Sequence, residues 1–210
     1  MTGRMQDLVE EILRLQKELE KEIDARRETL GWRLKERLVE FEEGITAEHR
    51  RLRTGVRRFL ADSSIAAILT APVIYSMFVP LVLLDLWANL YQHVCFRAYG
   101  IPRVRRSDHI VFDRSHLAYL NWIEALNCLY CSYGNGVISQ VREITSRTEQ
   151  YWCPIKHALR TADPHRRYVQ FLEYGDAEGY RAHLEDLRDR LRNEAASSTP
   201  STDGPAAPPT

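Results

Sequence analysis

Residues Ser63–Phe96 read SSIAAILTAPVIYSMFVPLVLLDLWANLYQHVCF, and this stretch decides how the rest of the chain is read. No charged side chain occurs between Ser63 and Leu84. About 20 helical residues cross the hydrocarbon core of a bilayer, so the segment is long enough to insert. Such uncharged runs are uncommon in soluble domains, which sets membrane insertion against the alternative of a buried core helix. Arg50, Arg51, Arg53, Arg57 and Arg58 precede the segment, and Arg97, Arg103, Arg105 and Arg106 follow it. By the positive-inside rule both flanks belong on the cytoplasmic side, which one crossing does not satisfy. A re-entrant hairpin does, with Ser64–Val79 as one limb, Pro80 at the bend and Leu81–Phe96 as the other. Each limb is roughly 24 Å of helix, short for a full crossing. The competing arrangement is a single span to Leu84 with Asp85 at the interface, followed by an interfacial helix with Trp87 and Tyr91 at headgroup level. Asp85 and His93 carry functional weight if they sit at membrane depth, where ionisable groups are expensive, and merely point to water if the segment is interfacial.

Toward the N-terminus, Met5, Leu8, Ile12, Leu15, Leu19 and Ile23 alternate three and four apart, the spacing of a coiled-coil seam. Leu34, Leu38, Phe41, Ile45, Leu52, Val56 and Phe59 continue the stripe, with Gly31 and Gly44 as bends. Residues 1–62 are therefore expected to form a charged helical arm. It either pairs with a second copy or another protein, or packs on its own domain.

Beyond the apolar segment, residues 97–194 read as a helical module. Gly100-Ile101-Pro102 marks a connector, and a helix is expected from Asp113 to Tyr133 with Asp113 or Ser115 as N-cap. Gly134-Asn135-Gly136 is expected to break it, with a second helix running from Val137 past Trp152. Asp163-Pro164 opens a short helix through Leu172. Asp176, after Gly175, caps a last helix with Tyr180, Leu184, Leu187 and Leu191 on one face. Residues 195–210 have the composition of a disordered tail. Only His109–Phe112 has strand character, so the fold class is all-α.

Within this module Cys128, Cys131, Cys153 and His157 form Cys-x2-Cys followed by Cys-x3-His, the ligand types of a zinc centre. An iron or iron–sulfur centre is the second metal reading, with Cys95 replacing His157, and ordinary core packing of cysteines is the third. Asn121, Glu124, Cys128 and Cys131 share one helix face, and Glu143, Ser146 or Arg147, Gln150, Cys153 and His157 form a stripe on the next. Two such stripes predict a polar seam. In an antiparallel hairpin, however, Cys153 and His157 lie beside His116, while Cys128 and Cys131 lie near Cys95 and His93, so one four-ligand site needs a broken helix or a second subunit.

Composition limits the function classes. The 29 basic and 29 acidic residues balance, which gives no electrostatic case for nucleic-acid binding. The polar start, Met1–Glu22, and the low cysteine density favour reduced thiols. Arginine far outnumbers lysine, a usage typical of GC-rich bacterial genomes, which places the expectation at the cytoplasmic face of a bacterial inner membrane. Ser132 stands where a c-type haem motif has histidine, and no phosphate loop or nucleophile elbow is found. The sequence thus predicts a membrane-associated protein with a Cys/His metal site, structural or electron-transferring. Its alternative is a membrane-bound scaffold whose helical arm recruits partners without metal. An enzyme acting on a lipid-linked substrate through Glu124, Glu143 or Asp85 ranks last.

Overall fold

The computed structural model describes residues 3–29, 32–35, 38–41 and 45–197. The fold is all-α apart from one small hairpin, and the chain divides into two units.

The first unit gathers the chain up to Ile65 together with Phe112–Leu129. Helix α1 spans Gly3–Thr29 and carries the expected seam, with Leu8, Ile12, Leu15, Leu19 and Ile23 exposed along it. Arg14 clamps to Glu11 at 2.6 Å and reaches Glu18 at 3.3 Å, the one-turn ion pairs that support an exposed helix. The helical arm does not continue as expected. Strands β1 (Trp32–Lys35) and β2 (Leu38–Phe41) pair antiparallel with Trp32 opposite Phe41, and two short helices follow, α2 (Ile45–Arg51) and α3 (Val56–Asp62). Trp, Leu, Val and Phe suit a strand as well as a helix stripe, and the alternation in Leu38-Val39-Glu40-Phe41 is too short to separate the two periods. Gly31, Gly44 and the end of the expected tail, residues 198–210, lie outside the described residues.

The second unit runs from Ala66 to Val111 and from Tyr130 onward. Helices α4 (Ile65–Ser76) and α5 (Phe78–Tyr91), a π-helical turn (Gln92–Phe96) and α6 (Arg97–Tyr99) follow one another as a helical run of 35 residues. The re-entrant bend expected at Pro80 is not formed. Pro72 and Pro80 have no N–H to give to the carbonyl four residues back, yet Pro72 lies inside α4, and at Pro80 Met77 keeps helical angles, its N–H turns to Ile74 O at 3.2 Å, and Leu81 N–H returns to Met77 O at 3.2 Å. One lost bond kinks a helix without reversing it. The run ends at Gly100, whose φ of +69° is the left-handed conformation glycine tolerates best, and Ile101 N–H closes on Phe96 O at 2.8 Å.

Helix α7 spans Trp122–Trp152. It starts later than expected because Asn121, rather than Asp113 or Ser115, is the cap. Asn121 Oδ1 accepts from the N–H groups of Ile123 (2.9 Å) and Glu124 (3.1 Å), and Glu124 Oε2 accepts from Asn121 N–H at 2.8 Å. This reciprocal capping box uses the Asn121 and Glu124 side chains that the polar stripe had reserved for a seam. Asp113–His116 is a single 3-10 turn.

Gly134-Asn135-Gly136 does not break α7. The two glycines are close-approach positions: a Cβ on Gly136 would stand 2.7 Å from Ile110 Cγ1 and 2.9 Å from His109 O, and one on Gly134 would stand 3.3 Å from Leu81 Cδ1. Glycine's cost in helix propensity is offset where the missing side chain lets backbone meet backbone. The returning connector therefore lies on α7 at Ile110, which is buried, and the His109–Phe112 stretch forms no strand.

Past α7 the chain turns at buried Pro154. Ile155 makes a parallel bridge with Leu172, through Lys156 N–H to Leu172 O (2.8 Å) and Leu172 N–H to Pro154 O (2.9 Å). That pairing extends the backbone at Phe171, so the expected Asp163–Leu172 helix shrinks to a 3-10 turn at Arg166–Gln170. Helix α8 (Ala177–Ser197) is capped as expected, Asp176 Oδ1 accepting from Gly179 N–H at 2.8 Å. The core of this unit joins Ala88, Phe96, Ile101, Val104, Ile144, Tyr151 and Leu191.

Gly136→Ala is expected to destabilise the protein by roughly 1–3 kcal/mol, the usual penalty of overpacking, although alanine favours helix by up to about 1 kcal/mol. Thermal denaturation of Gly136→Ala beside an exposed control on the same helix, Ile138→Ala, checks this.

Candidate functional site

The expected metal ligands are not gathered. Cys131 lies near the start of α7 and Cys153 just past its end, roughly 33 Å apart at the rise of an unbroken helix. Cys128 lies one turn before Cys131 on the same helix. His157 is exposed beyond the Pro154 turn, its ring stacked on Tyr168 at 6.1 Å and its backbone N–H donating to Tyr168 Oη at 2.6 Å. All four cysteines are free thiols. Among the described residues no three His, Cys, Asp or Glu side chains are grouped to hold a metal ion. Desolvation, and then the Glu149 carboxylate, push the Cys153 thiol up, away from the thiolate that binds metals. A closed Cys128, Cys131, Cys153 and His157 site for zinc or iron therefore does not fit within one chain, and the unbroken α7 is the reason.

Two polar networks occupy the interior instead, both in the second unit. The first runs along the inner face of α5, where Asp85, Ala88, Gln92 and Phe96 are buried. Asp85 Oδ2 accepts from Arg106 Nη2 at 2.7 Å and from Tyr133 Oη at 2.9 Å, and Oδ1 accepts from Asn89 Nδ2 at 2.7 Å. Asn89 Oδ1 accepts from Gln92 Nε2 (3.0 Å) and Gln140 Nε2 (3.1 Å), and Gln92 Oε1 takes the Val104 N–H at 2.9 Å. Amide and carboxylate groups thus satisfy one another in a ladder that joins α5, the connector and α7. His93 lies outside this ladder, exposed, with its Nδ1 3.2 Å from Arg103 Nη1.

The second network is built on Glu143, whose Oε1 receives Arg147 Nε (2.9 Å), Arg166 Nη2 (3.0 Å) and Arg167 Nη2 (2.8 Å). Arg167 is 3% exposed and also forms a two-pronged pair with Glu194 of α8. Its Nη1 reaches Gln150 Oε1 at 3.1 Å, while Gln150 Nε2 donates to Leu187 O at 2.9 Å. Arg147 Nη1 ties in the connector through Pro102 O at 2.6 Å. Beside the network, His165 Nε2 meets Glu149 Oε2 at 2.8 Å. Of the expected stripe, Glu143, Ser146, Arg147 and Gln150 face inward, with Arg166 and Arg167 as partners of Glu143 and Gln150, while Cys153 and His157 are exposed.

Burial alone would raise the Glu143 pKa, but Arg167 first, with Arg147 and Arg166, holds it down at about 2. Arg167, whose charge burial opposes, is held above its usual value by Glu194 and Glu143. The network can hold charge, fix geometry and present guanidinium groups.

Comparison with protein-family models, curated proteins and solved structures gives no match.

Sequence reading missed Arg106, Tyr133, Gln140, Arg167 and Glu194. Asp85, Asn89 and Gln92, four and three apart inside an apolar helix, were a readable sign of an inward polar face. Nothing local marks Arg167 or Glu194, whose pairing is long-range.

Two outcomes follow. Protein purified without metal-affinity steps is expected to hold neither zinc nor iron in stoichiometric amounts, as elemental analysis would read. A Glu143 carboxyl lowered from 4.5 to about 2 contributes stability that is fully present above the unfolded value and is lost as pH falls through the folded one. The shift corresponds to about 3 kcal/mol. Glu143→Gln should thus cost about that much at neutral pH, and urea denaturation should show the gap closing between about pH 4.5 and about pH 2.

Proposed function

We propose that the protein is a membrane-bound helical scaffold, held in the bilayer by its apolar helix and built without a metal centre. The observation that carries this reading is the exposure of the Ile65–Tyr99 run: 6% of its most apolar stretch is buried within the chain. A core helix of a soluble domain buries its apolar side chains. Here Ile65, Leu69, Val73, Val79 and Leu83 are each more than half exposed. No buried residue occurs in α4, so its apolar surface runs all round the helix rather than along one face, which suits insertion better than lying flat on a surface.

Asp85 is the first charge after this surface, and its ladder faces protein, not lipid. That supports the single span ending near Leu84, with the polar ladder at the bilayer boundary. Arg50, Arg51, Arg53, Arg57 and Arg58 on one flank and Arg97, Arg103, Arg105 and Arg106 on the other carry similar charge, so the positive-inside rule does not orient this single span. The exposed seam of α1 offers a surface for a second copy or another protein, the recruiting element of a scaffold.

Membrane extraction tests this. Wild-type protein is expected to stay with membranes under alkaline wash. Leu69→Arg with Val73→Arg, at about 2.5–3.5 kcal/mol for each inserted charge, should move it to the soluble fraction. Wild-type protein recovered as a soluble, monomeric species without detergent would contradict the proposal.

A further inference from the structure

The Glu143 network forms the floor of a cleft of about 990 Å³ between the connector, α7, the 3-10 turn at Arg166–Gln170 and the end of α8. Six arginines line it, with Asp108, Glu143 and Glu194 as the carboxylates, so positive charge is in excess. Glu143 is bound to Arg147, Arg166 and Arg167, and Glu194 to Arg167, so these two carboxylates are already engaged by arginines of the cleft. On the rim, Arg105 makes no side-chain ion pair among the described residues, Arg103 faces the ring of His93, and Arg166 is 74% exposed while holding Glu143. Arg142 completes the rim, paired only with the exposed Asp163.

Two buried polar atoms in the same cleft lack partners. Arg167 Nε and His165 Nδ1 are shielded from solvent and make no hydrogen bond. Being shielded, these two atoms lie behind the cleft wall, so a ligand meets the exposed rim guanidiniums rather than the floor. Every cation of this lining is a guanidinium. Planar forks of that kind match the oxygens of phosphate in pairs, which a lysine does not do. The volume far exceeds inorganic phosphate and falls within the range of small-molecule sites.

We propose that this cleft binds a phosphate monoester, with Arg105 and Arg166 gripping the phosphate and the organic part lying along the connector. The phosphate belongs either to a lipid headgroup or to a soluble ester, and the experiment separates the two. The proposal does not rest on the scaffold reading, since the cleft is complete in the second unit.

The test uses the full chain reconstituted in discs of phosphatidylcholine and titrated calorimetrically with glycerol 3-phosphate, with inorganic phosphate, and with acetate as the control anion. Glycerol 3-phosphate is expected to bind and acetate not to. Arg105→Gln should weaken binding about tenfold or more, and Arg105→Lys, which keeps the charge but not the fork, should fall between. Discs that also contain phosphatidic acid give the second arm: suppression of glycerol 3-phosphate binding assigns a lipid headgroup, and unchanged binding assigns a soluble ester. Arg166→Gln should weaken binding likewise; if it unfolds the protein, Arg105→Gln, which breaks no ion pair, decides alone. The proposal is overturned if neither phosphate compound nor phosphatidic acid is bound by wild-type protein, if acetate binds equally well, or if Arg105→Gln binds as wild type does.

Discussion

At Gly136 the returning connector comes so close to α7 that no Cβ fits between them, and this contact sets the frame for the C-terminal half of the molecule. It requires α7 to pass straight through Gly134-Asn135-Gly136, and it requires the chain after Gly100 to double back along the helix. Once both hold, Val104 falls opposite Gln92, Arg106 opposite Asp85, and Pro102 within reach of Arg147. The same straight helix carries Glu143 and Gln150 to the place where Arg167 and α8 close over them. It also carries Cys153 about two thirds of a helix length from Cys131, so one geometric fact builds the polar interior and disperses the thiols.

The two networks are costly to bury and differ in what they specify. A buried ion pair seldom stabilises more than apolar packing of equal volume, but breaking one leaves a charge without water, so such pairs act chiefly against wrong arrangements. The Asp85 ladder fixes the rotation of α5 about its axis. The close approach of Leu81 to Gly134 and the ring contact of Phe78 with Tyr133 set the same face against α7. The Glu143 network locks the connector, α7, the 3-10 turn at Arg166–Gln170 and α8 together beside the apolar core they share.

Much of this was legible in the sequence, and the misses have physical causes. The all-α class, the seam of α1, the apolar run, the stop at Gly100 and the Asp176 cap all rest on local chemistry, and local chemistry is what a sequence displays. Pro80 suggested a reversal because proline removes one hydrogen bond, yet a helix survives one loss as a kink. Gly134-Asn135-Gly136 suggested a turn because glycine is flexible, whereas here its missing side chain makes room for another backbone. The Cys-x2-Cys and Cys-x3-His pairs suggested one centre because spacing says nothing of whether the helix between them is broken. Arg167 and Glu194 had no signal at all, since their partners stand on other elements. On the polar stripes, Glu143 and Gln150 pointed inward as their spacing implied, while Asn121 and Glu124 served the helix end.

The account turns on α7 being unbroken, and the native thiols allow that to be measured. With Cys95 and Cys128 replaced by serine, spin labels on Cys131 and Cys153 report their separation by dipolar spectroscopy in reconstituted protein. An unbroken helix predicts a single distribution centred at roughly 33 Å. A dominant short separation, of the size two ligands of one metal ion would have, would contradict it and return the four residues to a common site.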